Sequence, residues 1–289
     1  MARQKLTIVV TCTDRKTGAP HHDLMARTLP TGTVKERADD WVGRLRATRP
    51  TTRLLDLYAG ESWTQAKRLA ATARSTGFQP EVFVASAGLG LRPVDDVAPP
   101  YAATFATGHR DSVVQATPDA SVWWKQLAHA AGPRADAPSI WVLSESYARA
   151  MTDDLQALDP QSTVVFGGAS DTPASLRIRS DRNLRGALGG TITSLNARMA
   201  IRWLEIADGK MPAAPEVHRN WATWALGAQQ QERYDRKPVS DHAIKQMIDQ
   251  MRGLNPKLPK TVALRNLRNS GIACEQRRFT RLFEEALTS

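Results

Sequence analysis

The sequence predicts an α/β fold: a three-layer parallel sheet with a C-terminal helical extension. Three observations carry that expectation. Apolar or mixed runs of strand length recur at Leu6–Val10, Arg53–Tyr58, Val82–Ala85, Ile140–Leu143 and Thr163–Phe166. Amphipathic segments of helical period separate them, the alternation that builds parallel βαβ units. Beyond residue 210 no strand-like run remains, only helical spacing. The expected division is therefore an α/β domain over residues 1–210 and a basic helical domain over 211–289.

Taken in order, Leu6–Val10 is the first strand and runs into Thr11-Cys12-Thr13-Asp14-Arg15-Lys16. His21 and His22 follow; adjacent histidines project apart, so no metal pair is expected. Thr33–Ala47 has Val34, Ala38, Trp41, Val42 and Leu45 on one helical face. Arg53–Tyr58 reads as the second strand, and Ser62 caps a helix that ends at Gly77. Val82–Ala85 is the third strand and passes into Ser86-Ala87-Gly88-Leu89-Gly90, where small residues permit a sharp turn and a close approach. Helices are expected at Asp119–Ala131, Ala148–Leu158 and Thr191–Ile206, and strands at Ile140–Leu143 and Thr163–Phe166.

Asp208–Pro215 has the composition of a linker. After it, Ser240 caps a helix carrying Ile244, Met247, Ile248 and Met251, and Thr261–Arg268 forms a second. Ser270-Gly271 breaks the pattern before a last helix over Ala273–Leu287. Two helices joined by a short glycine turn have the form of a helix-turn-helix unit.

The bulk numbers narrow the function. At 289 residues, with 42% hydrophobic and 24% charged content, the chain can bury a large core. Its net charge of +10 favours an acidic partner, nucleic acid first. Residues 211–289 hold 13 Lys and Arg against 8 Asp and Glu, half of that charge. Cys12 and Cys274 lack zinc spacing or a disulfide pattern, so no metal is expected and a reducing cytoplasm is. Neither a signal peptide nor an apolar run of membrane-spanning length is present, so no membrane association is expected.

Parallel strands deliver their carboxyl ends to one edge, where ligands bind in such sheets. Asp14, Asp56, Tyr58, Ser86–Gly90, Glu145 and Gly167–Ser170 are expected to converge there. The chain has no phosphate-binding P-loop, no Gly-x-Gly-x-x-Gly fingerprint, no Gly-x-Ser-x-Gly elbow and no zinc-deaminase spacing. Carboxylates, backbone amides and aromatics suit glycosidic cleavage of a nucleotide. A sugar cation wants a carboxylate, a departing base wants donors, and a flipped base wants a ring to stack on.

Asp14, Asp56 and Asp95 are the catalytic candidates, although Asp56 has an alternative as a partner of Lys16. Tyr58, Tyr101 and Phe105 are the stacking candidates. Ser86, Gly88, Gly90, Gly168, Ser170 and Asn196 are expected to complete the base and sugar pocket. Lys16, Arg179, Arg182, Arg265, Arg268, Arg277, Arg278 and Arg281 are expected to contact DNA. No lysine stands out as buried, so a Schiff-base lyase step is not expected.

Val10–Lys16, Asp56-Leu57-Tyr58, Ser86–Leu91 and Tyr101–Phe105 together resemble a bacterial family with the uracil-DNA-glycosylase-like fold. Gly189-Gly190-Thr191, Ser194–Arg198 and Ser270–Glu275 share the resemblance. Within that fold group the chain is most similar to anti-phage DNA glycosylases that excise α-glucosylated 5-hydroxymethylcytosine. The resemblance implies hydrolysis of an N-glycosidic bond in phage DNA without a cofactor, leaving an abasic site. It departs from uracil-DNA glycosylases in two places. Of their Gly-Gln-Asp-Pro-Tyr motif only Asp14 has a counterpart, and Gly167–Ser170 lacks the histidine of their late loop. The competing expectations are a non-catalytic nucleic-acid-binding protein and a nucleoside or tRNA-base transferase.

Overall fold

The computed structural model describes residues 3–130, 132, 137–230, 237–256 and 258–288. The chain divides into two compact units, Met1–Gln230 and Gln231–Ser289.

In the first unit, β1 (Gln4–Thr11), β2 (Phe78–Ser86), β3 (Gly90–Pro93), β4 (Ser139–Leu143), β5 (Thr163–Gly167) and β6 (Arg177–Ile178) form one sheet. Their spatial order is β3-β2-β1-β4-β5-β6. Every neighbouring pair is parallel except the β2–β3 hairpin. Leu6, Ile8, Val9 and Val10 are buried, and so are Ile140, Trp141, Val142 and Leu143. Consecutive strand residues face opposite sides, so this sheet is covered on both faces.

The flanking helices are α1 (Val34–Ala47), α2 (Glu61–Ser75), α3 (Asp119–Gln126), α4 (Glu145–Ala150), α5 (Leu195–Ala207) and α6 (Pro215–Ala228). Thr33 and Glu36 close a reciprocal capping box at the start of α1. Helices α2 and α5 pack on each other and on the sheet. Trp203 of α5 packs edge-on against Phe166 of β5, its centroid 5.5 Å away, and lies tilted by 47° against Trp221 of α6 at 5.4 Å. Helix α6 thus belongs to the first core, and the break between units falls after Gln230 rather than at residue 210.

Several other expectations are corrected. Arg53–Tyr58 is not a strand: Leu54–Leu57 is one helical turn, and only Thr52–Arg53 is extended, pairing antiparallel with Val97–Ala98. The turn puts Leu54 and Leu57 into the core and leaves Asp56 exposed, a three-residue spacing that a strand would place on opposite faces. The helix expected at Asp119–Ala131 stops at Gln126, and Ala131 lies outside the described residues. Ala148–Leu158 is two short helices meeting at Met151.

The second unit holds α7 (Asp241–Leu254), α8 (Lys260–Asn269) and α9 (Gln276–Thr288). Ser240 accepts the Ala243 N–H and caps α7. Ile244, Ile248, Ala263, Leu267, Phe279 and Leu282 make its core. Helix α9 starts at Gln276, because Ile272–Ala273 is extended and pairs with Lys237–Pro238, a short parallel bridge the helical pattern hides. Among the described residues no helix is long and apolar enough to cross a membrane.

Candidate functional site

The chain leaves β1 for β2 on one side and later returns to β4 on the other. The carboxyl ends of β1 and β4 are therefore a switch point in strand order, where open α/β sheets place their ligand crevice. The last paired residues are Val10 and Val142. Beyond them, Thr11 Oγ1 donates to Val142 O at 3.3 Å and accepts the Ser144 N–H at 3.2 Å. This bridge pins the two strands as their loops diverge.

A cleft of about 420 Å³ opens there. Its walls are Cys12, Thr13 and Asp14 after β1, Ser144, Ser146 and Tyr147 at the start of α4, and Thr104. Ser62 in the first turn of α2 and Asn196 in the first turn of α5 close it. Asp14 is exposed and is one of the residues that line it. Asn196 is fixed on both sides: its Oδ1 accepts from Ser180 Oγ at 2.5 Å and its Nδ2 donates to Leu143 O at 3.3 Å. One N–H of that amide is left over.

The deeper wall is aromatic and polar at once. Tyr147 is buried, with its hydroxyl 3.0 Å from Cys12 Sγ and 3.4 Å from the Ala87 N–H it accepts. Burial, then the neighbouring Cys12, pushes its phenol pKa well up. Phe105 packs edge-on against this ring at 5.1 Å and is itself buried, so it supports Tyr147 rather than offering a face for stacking.

Lys16 is not a surface cation. The side chain is half-buried, and its Nζ donates to Thr13 O at 3.1 Å and Asp14 O at 3.4 Å. It also sits 4.3 Å above the Tyr101 ring. Desolvation lowers its pKa, partly offset by Cys12 and Asp14. Lys16 is thus half-buried, and it is not among the residues that line the cleft.

The glycine loop is a packing device. Ser86 pairs with Gly90 across the β2–β3 hairpin. Ser86 Oγ accepts the N–H groups of Gly88 and Leu89, each at 3.1 Å, so those amides are already used. With both lone pairs engaged, the serine hydroxyl donates to Tyr101 (2.5 Å), and Tyr101 in turn donates to Tyr58 (2.6 Å). Both rings are buried, leaving no face for a base. A Cβ on Gly88 would lie 2.6 Å from the Tyr101 ring, which explains glycine there. Gly88 and Leu89 border a different cavity, beside α1.

The other predicted residues disperse. Asp56 is exposed and away from the cleft, because its segment is a helical turn. Asp95 pairs with Arg53 at 2.5 Å beside a separate cavity. Gly168 is buried at a positive-φ turn, where its carbonyl accepts from Arg177 at 3.3 Å, and Ser170 is exposed near Arg149. Arg179 and Arg182 are exposed, and Arg179 adjoins Ser180, the partner of Asn196. In the second unit, Arg278 and Arg281 both bond Asp241, and Arg268 donates to Cys274 O. Those three have partners within the unit, although Arg281 is itself exposed, as are Arg265 and Arg277.

Cys12, Tyr147, Ser144, Thr104 and Thr193 line the cleft and are not among the candidate site residues chosen from the sequence. Position was the available signal: Cys12 directly follows β1, and Ser144 and Tyr147 follow β4. No group of three side chains able to hold a metal ion occurs among the described residues. No family model, no curated protein and no solved structure matches the chain.

Proposed function

We propose that the protein is a DNA glycosylase that hydrolyses the N-glycosidic bond of a modified base. The observation that carries this reading is Asp14, an exposed acidic residue that lines the cleft at the switch point of the sheet. In the proposed route, phosphate contacts from exposed cations such as Arg179 and Arg182 hold the strand, and the target nucleotide is extruded into the cleft. Asp14 then stabilises the positive sugar, or takes a proton from the attacking water, as the C1′–N bond breaks. The electron pair of that bond leaves with the base, and in this reading the remaining N–H of Asn196 and the Tyr147–Cys12 pair stabilise it. Water adds to C1′, and an abasic site remains.

The first turns of α2 and α5 both border the cleft, and the partial positive charge of helix N-termini favours an anionic substrate. The motif resemblance extends the reading to glucosylated hydroxymethylcytosine in phage DNA, to an uracil-DNA-glycosylase-like three-layer fold and to a defensive role. The α8–α9 pair, joined by residues 270–275, is proposed as a helix-turn-helix-like accessory contact through Arg265 and Arg277.

The test is incubation with glucosylated T-even-type phage DNA beside unmodified DNA, followed by alkali to convert abasic sites into breaks. Breaks in the modified DNA alone are the expected result. Salt-sensitive binding with no breaks in either DNA would favour the binding-protein reading. Exchange of a supplied free base into nucleic acid, without net abasic sites, would favour the transferase.

A further inference from the structure

Among the described residues, three buried side-chain atoms have no hydrogen-bond partner: Asp40 Oδ2, Gln65 Oε1 and Arg202 Nε. Asp40 Oδ2 lies 2.8 Å from Arg44 Nη2, so it has an ionic partner. The remaining two border the same cavity, of about 300 Å³, in the first unit. Gln65 and Arg68 reach it from α2, Arg198, Arg202 and Glu205 from α5, and Trp224 from α6. It is distinct from the cleft at the β1–β4 edge and shares no lining residue with it.

Buried polar groups in folded proteins are nearly always paired, and both orphans belong to side chains that line this one space. Its charges say what kind of ligand would suit it. Arg198 is fully engaged, donating to Glu61, Ser194 and Leu188 O. Arg202 gives one Nη to Glu205 at 3.1 Å and stacks over Trp224 at 5.1 Å, leaving Nε unused. Arg68 is exposed and has no partner among the described residues. The space is therefore lined by the Arg68 guanidinium, by a second guanidinium that gives one Nη to Glu205, and by a primary amide.

The Gln65 oxygen and nitrogen exchange by a half-turn of the amide with no change of shape, so this group can donate as well as accept. Donors converging from three side chains match an oxyanion with several oxygens better than a planar carboxylate with two. The volume exceeds that of a bare oxyanion, and Leu188 and Ile201 supply an apolar wall for an attached group.

We propose that this cavity binds a phosphate ester, held by Arg68, Arg202 and the Gln65 amide. The site stands apart from the glycosylase reading, because it rests on other residues and is read without turnover. Two sources share the chemistry: a phosphodiester of a DNA strand and a free nucleotide or other small phosphate ester.

The test is calorimetric titration of the full chain at constant ionic strength with three probes. These are inorganic phosphate, a deoxynucleoside monophosphate and a short single-stranded oligonucleotide. Two variants accompany them, Arg68→Gln at an exposed position and Gln65→Glu, which puts a carboxylate where the anion would sit. Binding of at least one probe is expected, weakened about tenfold or more in Arg68→Gln and abolished in Gln65→Glu. Variant-sensitive binding of the oligonucleotide alone would assign the site to a DNA strand. Equally variant-sensitive binding of the mononucleotide would assign it to a free ligand. No binding of any probe, or binding that both variants leave unchanged, would overturn the proposal.

Discussion

Two loops follow neighbouring parallel strands in this molecule, and they do opposite work. The loop after β2, Ser86–Gly90, has small residues and backbone amides, yet Ser86 Oγ takes up two of those amides and Tyr101 fills the space behind. The loop after β1 has bulkier, charged residues, yet it presents Asp14 and Cys12 to an open cleft. The difference is one of strand order. The β1 loop has β4 beside it across the switch point, whereas the β2 loop turns straight back into the antiparallel β3. Glycine supplied a tight hairpin, and the gap between diverging connections supplied the cleft.

The largest stability effects are expected on the β2 side. Tyr101→Ala removes a fully buried ring and strands the hydroxyls of Ser86 and Tyr58, costing about 3–5 kcal/mol in urea unfolding. Gly88→Ala drives a Cβ against the Tyr101 ring, and about 1–3 kcal/mol is expected from overpacking. Either variant leaving the urea midpoint unchanged would break the contrast, because the glycine loop would then not be a packing device.

A titration sharpens it further. Burial raises the phenol pKa of Tyr58, Tyr101 and Tyr147 above the ordinary value of about 10. A raised folded pKa means stability that is intact below the unfolded value and lost as pH rises through the folded ones. The three phenols are therefore expected to ionise only with unfolding, as a cooperative step in near-ultraviolet phenolate absorbance. Gradual titration of all tyrosines near their ordinary pKa, with the fold retained, would contradict this.

The smallest effect concerns Glu61, beside the cleft-lining Ser62. Hydrogen bonds from Ser194, Thr191 and Arg198 hold its pKa down to about 2. A depressed folded pKa gives stability present above the unfolded value and lost as pH falls from about 4.3 toward 2. The carboxylate is a third exposed, so Glu61→Gln should flatten the acid limb by no more than about 1 kcal/mol.

What the sequence made legible follows from how each feature is encoded. Four of the five expected strands are present because continuous apolar runs are written locally, as in Thr163–Phe166. The fifth, Arg53–Tyr58, has a run just as short, and only tertiary burial of Leu54 and Leu57 decides that it turns. The edge strands Gly90–Pro93 and Arg177–Ile178 are short and half polar, so nothing local marks them.

Asp14 and Asn196 could be chosen because each sits at the end of an element that the fold class aims at one edge. Tyr58 and Tyr101 were chosen by the same logic, but whether a tyrosine borders a cleft or fills a core depends on packing across more than forty residues. Cations show the limit most clearly: Lys16, Arg278 and Arg281 add to the net charge, yet each is already bonded to a group of this chain.

The most direct test of the central claim compares three carboxylate variants, Asp14→Asn, Asp56→Asn and Asp95→Asn, by abasic sites formed in glucosylated phage DNA. All three positions are exposed, so folding is expected to survive each change. Asp14→Asn is expected to lose about 10²–10⁴-fold in turnover while keeping salt-sensitive DNA binding, with the other two near wild type. Full turnover in Asp14→Asn, with its loss in Asp95→Asn or Asp56→Asn, would contradict the placement of the chemistry at the β1–β4 cleft.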